Sequence, residues 1–256
     1  MDLHLNNELA DQYSSLSQIS RVITEDWVRR NMFCPRCGSP YIEAFENNRP
    51  VADFFCPRCK NEFELKSKNG AFGKKVVDGS YDAMIERITH NNNPDFLFLS
   101  YSLDTWMVEK LVFIPKSFFT PTTIEKRKPL SSNARRAGWI GCNILLQQIP
   151  KQGQINLISD GRILAKDFVI QYVTKMEQLT VNDMGQRSWL MDVLWCIDKI
   201  SSSVFELKEV YAFENELKIR HPQNNNIQAK LRQQLQYLRD KGYIEFLGGG
   251  KYRKLM

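Results

Sequence analysis

The sequence predicts a mixed α/β domain followed by a smaller helical domain that ends in a hairpin. Three observations carry this prediction. Two C-x2-C pairs converge at the end of a candidate hairpin, strand-like runs alternate with a helical segment through the middle of the chain, and three amphipathic stretches precede two short runs joined by Gly248-Gly249-Gly250. A chain of 256 residues has room for two domains, and 43% hydrophobic with 25% charged residues excludes a disordered or fibrous class. No apolar run approaches the ~20 residues of a membrane span, and the N-terminus lacks the basic-then-apolar layout of a secretion signal. A cytoplasmic protein with no membrane partner is expected.

Six cysteines without a secretion signal argue against a disulfide framework. Cys34-Pro35-Arg36-Cys37 and Cys56-Pro57-Arg58-Cys59 are separated by eighteen residues, the spacing of a four-thiolate zinc site. A redox centre needs only one such pair. Four thiolates close a tetrahedral ion, so the Zn²⁺ expected at Cys34, Cys37, Cys56 and Cys59 is structural. Cys142 and Cys196 have no partners in sequence and are expected to be buried thiols.

Residues 50–55 read as a strand entering the second knuckle, and residues 62–67 as the strand leaving it. Alternation puts Glu64 and Lys66 on one face and Phe63 and Leu65 on the other, with Asp53 able to meet the first pair from the neighbouring strand. Two carboxylates that hold Mg²⁺, beside a lysine that positions or deprotonates the attacking water, suit metal-dependent phosphodiester hydrolysis. The same letters fit a surface hairpin whose Glu64 and Lys66 pair across solvent.

Further along, residues 78–90 have helical spacing, and residues 96–101 and 107–114 are apolar enough to be buried strands. A helix between strands suits a sheet packed on one face. Residues 155–158 and 162–164 flank Asp160-Gly161, a hairpin dipeptide. Residues 116–141 are long, basic and rich in Pro, Ser, Thr and Asn, as expected of an irregular binding loop.

Charge is distributed unevenly. Between Lys116 and Lys151 seven bases face Glu125 alone, and from Arg220 onward eight face Asp240 and Glu245, so with a net charge of +6 the remainder is acidic. Two basic surfaces favour two contacts with nucleic acid, although solvated faces have the same composition. Within the first, Arg135 and Arg136 can contact phosphate or guanine, and Trp139 can stack on a base, wedge a step or accept an N-methyl group. The alternative has Trp139 roofing the core with Ile140 and Ile144.

A second domain is expected after the polar stretch 180–186. Leu190, Val193, Leu194, Ile197 and Ile200 form a helical stripe, with Trp189 and Trp195 as core. A strand at 203–205, a helix carrying Val210, Phe213 and Leu217, a third helix at 225–241 stopped by Gly242, and a wing at 243–247 and 251–255 complete a winged-helix layout. On the third helix Ile227, Leu231, Leu235 and Leu238 face the core. Asn225, Asn226, Ala229, Arg232, Gln233 and Gln236 share the opposite flank, with the chemistry to read adenine, guanine and a thymine methyl in a major groove. Helix capping is the alternative role for Asn224 or Asn225. Lys251, Arg253 and Lys254 on the wing suit phosphate contacts.

The stretches ENNRPVADF, EFELKSK, ARRAGWIGCNI and RQQLQYLRDKGY resemble the DpnI-type methyl-directed restriction endonucleases over nearly the whole chain, and the hairpin resembles the PD-(D/E)xK nuclease core. The resemblance implies an α/β mixed-sheet nuclease core with an embedded four-cysteine zinc site at 1–182 and a winged-helix domain at 183–256. It places Asp53, Glu64 and Lys66 on catalytic positions, with Asp53 and Glu64 as Mg²⁺ ligands and the four cysteines as zinc ligands. It further implies a type II enzyme that cuts both strands of double-stranded DNA at GATC carrying N6-methyladenine. Pro50 stands three residues before Asp53 instead of beside it, a departure from the superfamily formula. The alternative class is a zinc-ribbon and winged-helix DNA-binding regulator. The sequence leaves open whether one chain cuts twice or two chains cooperate, and whether Glu8 or Glu25 adds a metal-binding acid.

Overall fold

The computed structural model describes residues 1–46, 52–179 and 181–255, so Pro50 and Val51 of the first expected strand lie outside the described residues. Helix α1 (Leu16–Asn31) turns Ile23, Trp27 and Val28 inward at helical spacing and buries them completely. Two short strands, β1 (Glu43–Ala44) and β2 (Phe54–Phe55), lead to β3 (Glu62–Asn69), which pairs antiparallel with β2 across the second knuckle. Then β4 (Lys75–Ser80) and α2 (Tyr81–Thr89) form the crossover that brings β5 (Asp95–Ser102) back parallel to β3.

The expected helix at 78–90 therefore begins later. Pairing with a neighbouring strand keeps β4 extended through Ser80, and the Ser80 hydroxyl then accepts the Ala83 N–H to start α2. Asp78 consequently lies on a strand.

The chain continues through β6 (Met107–Ile114), β7 (Ile124–Lys126), β8 (Gly141–Leu145), β9 (Ile155–Ser159), β10 (Arg162–Ile163) and α3 (Lys166–Glu177). Among the described residues the main sheet runs β1-β2-β3-β5-β6-β9-β10, mixed in direction, and a second sheet runs β4-β8-β7. Strand β5 is buried from Asp95 to Tyr101. Leu97 and Leu99 pack in one core with Ile23, Trp27 and Val28, while Phe96 and Phe98 belong to another with Ile88, Phe119 and Ile144. The sheet is thus covered on both faces, not one, because α2 and the second sheet fold over the face opposite α1. A near-continuous apolar strand is the signature of that burial.

The C-terminal part is a winged helix: α4 (Met184–Lys199), β11 (Val204–Glu206), α5 (Leu207–Tyr211), α6 (Glu214–Arg220), α7 (Ile227–Asp240), β12 (Ile244–Gly248) and β13 (Lys251–Lys254), with strand order β11-β13-β12. The expected single second helix is split, as the chain bends at Phe213 before α6. Helix α7 starts two residues later than expected because Asn224 Oδ1 accepts the Asn226 N–H at 2.7 Å, a local turn that competes with helix. Gly242 ends it at φ +71°.

One apolar core runs across both parts, joining Phe118, Ile149 and Met176 to Leu190, Leu194 and Ile227. Polar contacts lock the same seam. The fully buried Arg187 donates to Asn91 Oδ1 at 2.6 Å and Ile88 O at 2.7 Å, Trp195 Nε1 donates to Gln147 O at 3.0 Å, and Tyr243 Oη donates to Lys175 O at 2.7 Å.

Candidate functional site

The two cysteine knuckles are one turn built twice. Gly38 and Lys60 donate their N–H groups to Cys34 O at 3.0 Å and Cys56 O at 2.9 Å, while Cys34 and Cys56 donate theirs to Ser39 O and Asn61 O at 2.9 Å. Both turns need a positive φ after the second cysteine, +73° at Gly38 and +60° at Lys60. The four sulfurs lie within 4.8 Å of one another, with Cys34 and Cys59 at 3.7 Å and Cys37 and Cys56 at 3.5 Å. Tetrahedral zinc with ~2.3 Å bonds separates its sulfurs by about 3.8 Å, so this donor set is compatible with zinc. Cys142 and Cys196 are fully buried elsewhere.

The cluster is fastened to the sheet through Asp95, at the start of β5. Arg36 of the first knuckle donates from Nε and Nη2 to its two oxygens at 2.5 and 2.8 Å, and Asn61 beside the second donates from Nδ2 to Oδ2 at 2.7 Å. The Lys116 N–H completes the set at 2.7 Å. A completely buried carboxylate is tolerable because every lone-pair direction is answered.

Asp53, Glu64 and Lys66 come together beside this cluster. Asp53 Oδ2 accepts the Leu65 N–H at 2.7 Å, which pins its carboxylate to β3 between the other two residues. Lys66 Nζ donates to Glu64 Oε1 at 2.5 Å and also to Asp78 Oδ1. Asp78 is the residue that sequence reading missed, since its helical placement aimed it elsewhere. Side-chain exposure is 14% for Glu64, 18% for Lys66 and 6% for Asp78, so these charges do not pair across solvent.

Burial sets the electrostatics. It pushes the Glu64 carboxyl up to about 7, with Lys66 opposing and Asp78 and Asp53 reinforcing the shift. Asp53 is raised for the same reason, against the Leu65 N–H and Lys66. Burial would lower Lys66, but Glu64 and Asp78 outweigh it and hold the ammonium above its ordinary range. Carboxylates crowded in this way are relieved by a hard divalent cation, so Asp53 and Glu64 fit Mg²⁺ as a donor pair.

Asp53, Leu65 and Ser67 line an open cleft of about 460 Å³ with Ser17, Ser20, Arg21, Thr24 and Glu25 of α1. Glu25 thus stands in the same cleft as Asp53, paired with Arg21 at 2.7 Å, whereas Glu8 lies in a short 3-10 turn at Asn7–Gln12.

The second sheet delivers the basic loop to this place. Asp78 on β4 is opposite Cys142 on β8, which is opposite Lys126 on β7, so residues 127–140 leave the sheet at the row that carries Asp78. Residues 116–141 are less irregular than expected, since they include β7 and two 3-10 turns. Backbone bonds from Arg127 N–H to Gly141 O and from Leu130 N–H to Trp139 O close the neck of the loop at 3.0 and 2.9 Å. Arg135 and Arg136 are exposed and Trp139 is half-buried. The Arg136 guanidinium lies 4.6 Å from the Trp139 ring centroid, and the ring rests on Gly141, where a Cβ would meet it at 2.8 Å. Trp139 is therefore a platform at the surface and not a roof of the core.

On α7, Ile227, Leu231, Leu235 and Leu238 are buried, while Ala229, Arg232, Gln233 and Gln236 are exposed together with Asn225 and Asn226, which precede the helix. Arg232 donates to Tyr211 Oη at 2.6 Å. On the wing Lys251 and Arg253 are exposed, with Arg253 on Glu245 at 2.9 Å. Lys254 differs from expectation. It is half-buried with its ammonium donating to Ile200 O, because β13 brings it against the end of α4.

Among the described residues no helix is long and apolar enough to cross a membrane. Comparison with known families matches residues 1–182 to the Dam-replacing family, DpnI, and residues 185–254 to the Dam-replacing HTH domain that forms the C-terminal part of the same enzymes. With the first match alone spanning well over half of the chain, and the second covering the winged helix, the protein belongs to the DpnI family of methyl-directed restriction endonucleases.

Proposed function

We propose that the chain is a type II restriction endonuclease that hydrolyses both strands of double-stranded DNA at GATC sites carrying N6-methyladenine, in a Mg²⁺-dependent reaction. Residues 1–182 act as the catalytic domain and residues 183–256 as a targeting module. The observation that carries this reading is the burial of Lys66 between the carboxylates of Glu64 and Asp78, on the strand whose Leu65 N–H holds Asp53, beside a basic loop. Burying three charges to brace a hairpin is a costly route to stability, whereas a nuclease site needs them there.

Asp53 and Glu64 would hold the Mg²⁺, which when bound supplies charge to polarise the scissile phosphate and acidify a water. Lys66 reaches the same space and orients the attacking water or neutralises a phosphate oxygen. Arg135 and Arg136 bind the backbone near the cut, and Trp139 offers an aromatic face to a base or its methyl group. Ala229, Arg232 and Gln233 of α7, with Asn225 and Asn226 just before it, enter the major groove, with Lys251 and Arg253 on phosphates. An N6-methyl group leaves adenine one N–H donor, so an Asn contact survives where the methyl is turned away and accommodated. Zn²⁺ on Cys34, Cys37, Cys56 and Cys59 is structural, since four thiolates leave no open coordination position.

Two plasmid preparations of one sequence, methylated or unmethylated at the GATC adenine, test this reading with Mg²⁺ or EDTA and with wild type beside Lys66→Ala. Linearisation of the methylated plasmid alone, only with Mg²⁺ and only by wild type, is expected. Cutting of both plasmids would remove methyl direction. Cutting of neither, with methyl-sensitive binding, would instead support the regulator.

A further inference from the structure

We propose that Asp78 is a positioning residue for Lys66, holding the ammonium in place when Glu64 turns to the cation. This inference rests on the nuclease reading above. Lys66 has three N–H donors and, among the described residues, two ion-pair partners, Glu64 and Asp78. Glu64 serves two masters, because the carboxylate that pairs with Lys66 is also a cation ligand in the proposed site. An ammonium and a divalent cation compete for the same oxygens.

Asp78 is built to resolve that conflict. It sits where β4 bulges against β8, between Asp78 and Ser80, and such a bulge re-aims a side chain out of the regular pleat. The Gly79 N–H donates to Oδ1 at 2.7 Å, so the strand itself holds the carboxylate that receives Lys66. Its other oxygen, Oδ2, is buried without a hydrogen-bond partner among the described residues. That oxygen can accept a second N–H of Lys66 as Glu64 departs, and Lys66 keeps its place without a change of rotamer partner. Without Asp78, Glu64 becomes the one carboxylate among the described residues in ion-pair contact with the buried ammonium, and cation binding then removes that contact.

A double-mutant cycle in metal affinity tests this without reference to cleavage. Mn²⁺ alone is titrated calorimetrically into the zinc-loaded full chain as wild type, Asp78→Asn, Lys66→Ala and the double variant. Loss of Asp78 is expected to weaken Mn²⁺ binding at least about five-fold more when Lys66 is present than when it is alanine, since the cycle cancels any effect independent of Lys66. Equal losses in both backgrounds would make Asp78 a ligand or a distant charge, and no loss in either would make it structural; either result overturns the proposal. Should Asp78→Asn fail to fold, Asp78→Ser carries the same cycle. Mg²⁺-dependent cleavage by wild type, run in parallel, reports on the nuclease reading separately. In cleavage itself, Asp78→Asn is expected to lower the single-turnover rate while leaving DNA affinity in Ca²⁺ within about two-fold, a split that a misfolded variant would not show.

Discussion

Arg36, in the middle of the first cysteine knuckle, grips Asp95 at the start of the central strand with two parallel hydrogen bonds of 2.5 and 2.8 Å. The zinc-type cluster and the sheet are thereby one rigid unit, and Asp53 and Glu64 are positioned by both. Replacing Arg36 with Met leaves a buried carboxylate without its main partner and is expected to cost about 3–5 kcal/mol in urea unfolding. Adding Asp95→Asn to that variant should recover part of the loss.

Zinc removal is a harsher version of the same test. Cys56→Ser, or chelation of the wild type, is expected to unfold at least the hairpin, since structural zinc contributes on the order of 10 kcal/mol of coupled folding energy. Metal content and circular dichroism report it directly. A stable, zinc-free and active variant would defeat the structural role.

The raised Glu64 carboxyl predicts a pH dependence of definite sign. Its folded-state pKa of about 7 exceeds the ordinary 4.5, so in metal-free protein Glu64 contributes stability that is fully present below 4.5 and is lost as pH rises through 7. Wild type should therefore lose stability relative to Glu64→Gln across that window. Divalent cations bind the ionised form, so Mn²⁺ affinity should fall by up to about ten-fold per pH unit below 7, and this slope should become shallower in Glu64→Gln, where only the Asp53 carboxyl is left to titrate.

Gly141 is open to a single-atom test. A Cβ there would come within 2.8 Å of the Trp139 ring, so Gly141→Ala should displace the indole while the β4-β8-β7 pairing persists. DNA affinity is expected to drop several-fold, with a shifted tryptophan emission and an unchanged melting temperature. Unaltered binding would remove Trp139 from the interface.

The two DNA-facing elements of the winged helix should fail differently. Asn226→Ala and Arg232→Ala are expected to weaken the preferred site by about 1–3 kcal/mol and leave scrambled duplex nearly untouched. Lys251→Ala should weaken all duplexes alike and reduce the salt slope by about one. Lys254→Ala should change stability more than binding, because its ammonium is committed to Ile200 O. Gel shifts at several salt concentrations separate these outcomes.

Much of this was legible because it is local. The C-x2-C spacing brings two sulfurs together within one turn, alternation along β3 puts Glu64 and Lys66 on one face, and the 3.6-residue stripe of α7 separates Leu231 and Leu235 from Arg232 and Gln233. Backbone geometry enforces each of these over a few residues, whatever the rest of the chain does. Where local pattern failed, strand pairing overrode it. Residues 78–80 have helical spacing, yet β8 holds them extended, and that decision alone turns Asp78 toward Lys66.

What the sequence by itself determined is the set of chemical parts: a four-thiolate cluster, two acids and a lysine on a hairpin, a basic loop and a polar helix face. Only the tertiary structure decided how they meet. Arg36 reaches Asp95 across 59 positions and Arg187 reaches Asn91 across 96, distances at which no periodicity in the chain constrains the partner. Those contacts exist because burying the two faces of β5 forces α1, α2 and the second sheet onto the same strand. Charges carried into that interior have to find partners there, since an unpaired one would cost more than the packing gains.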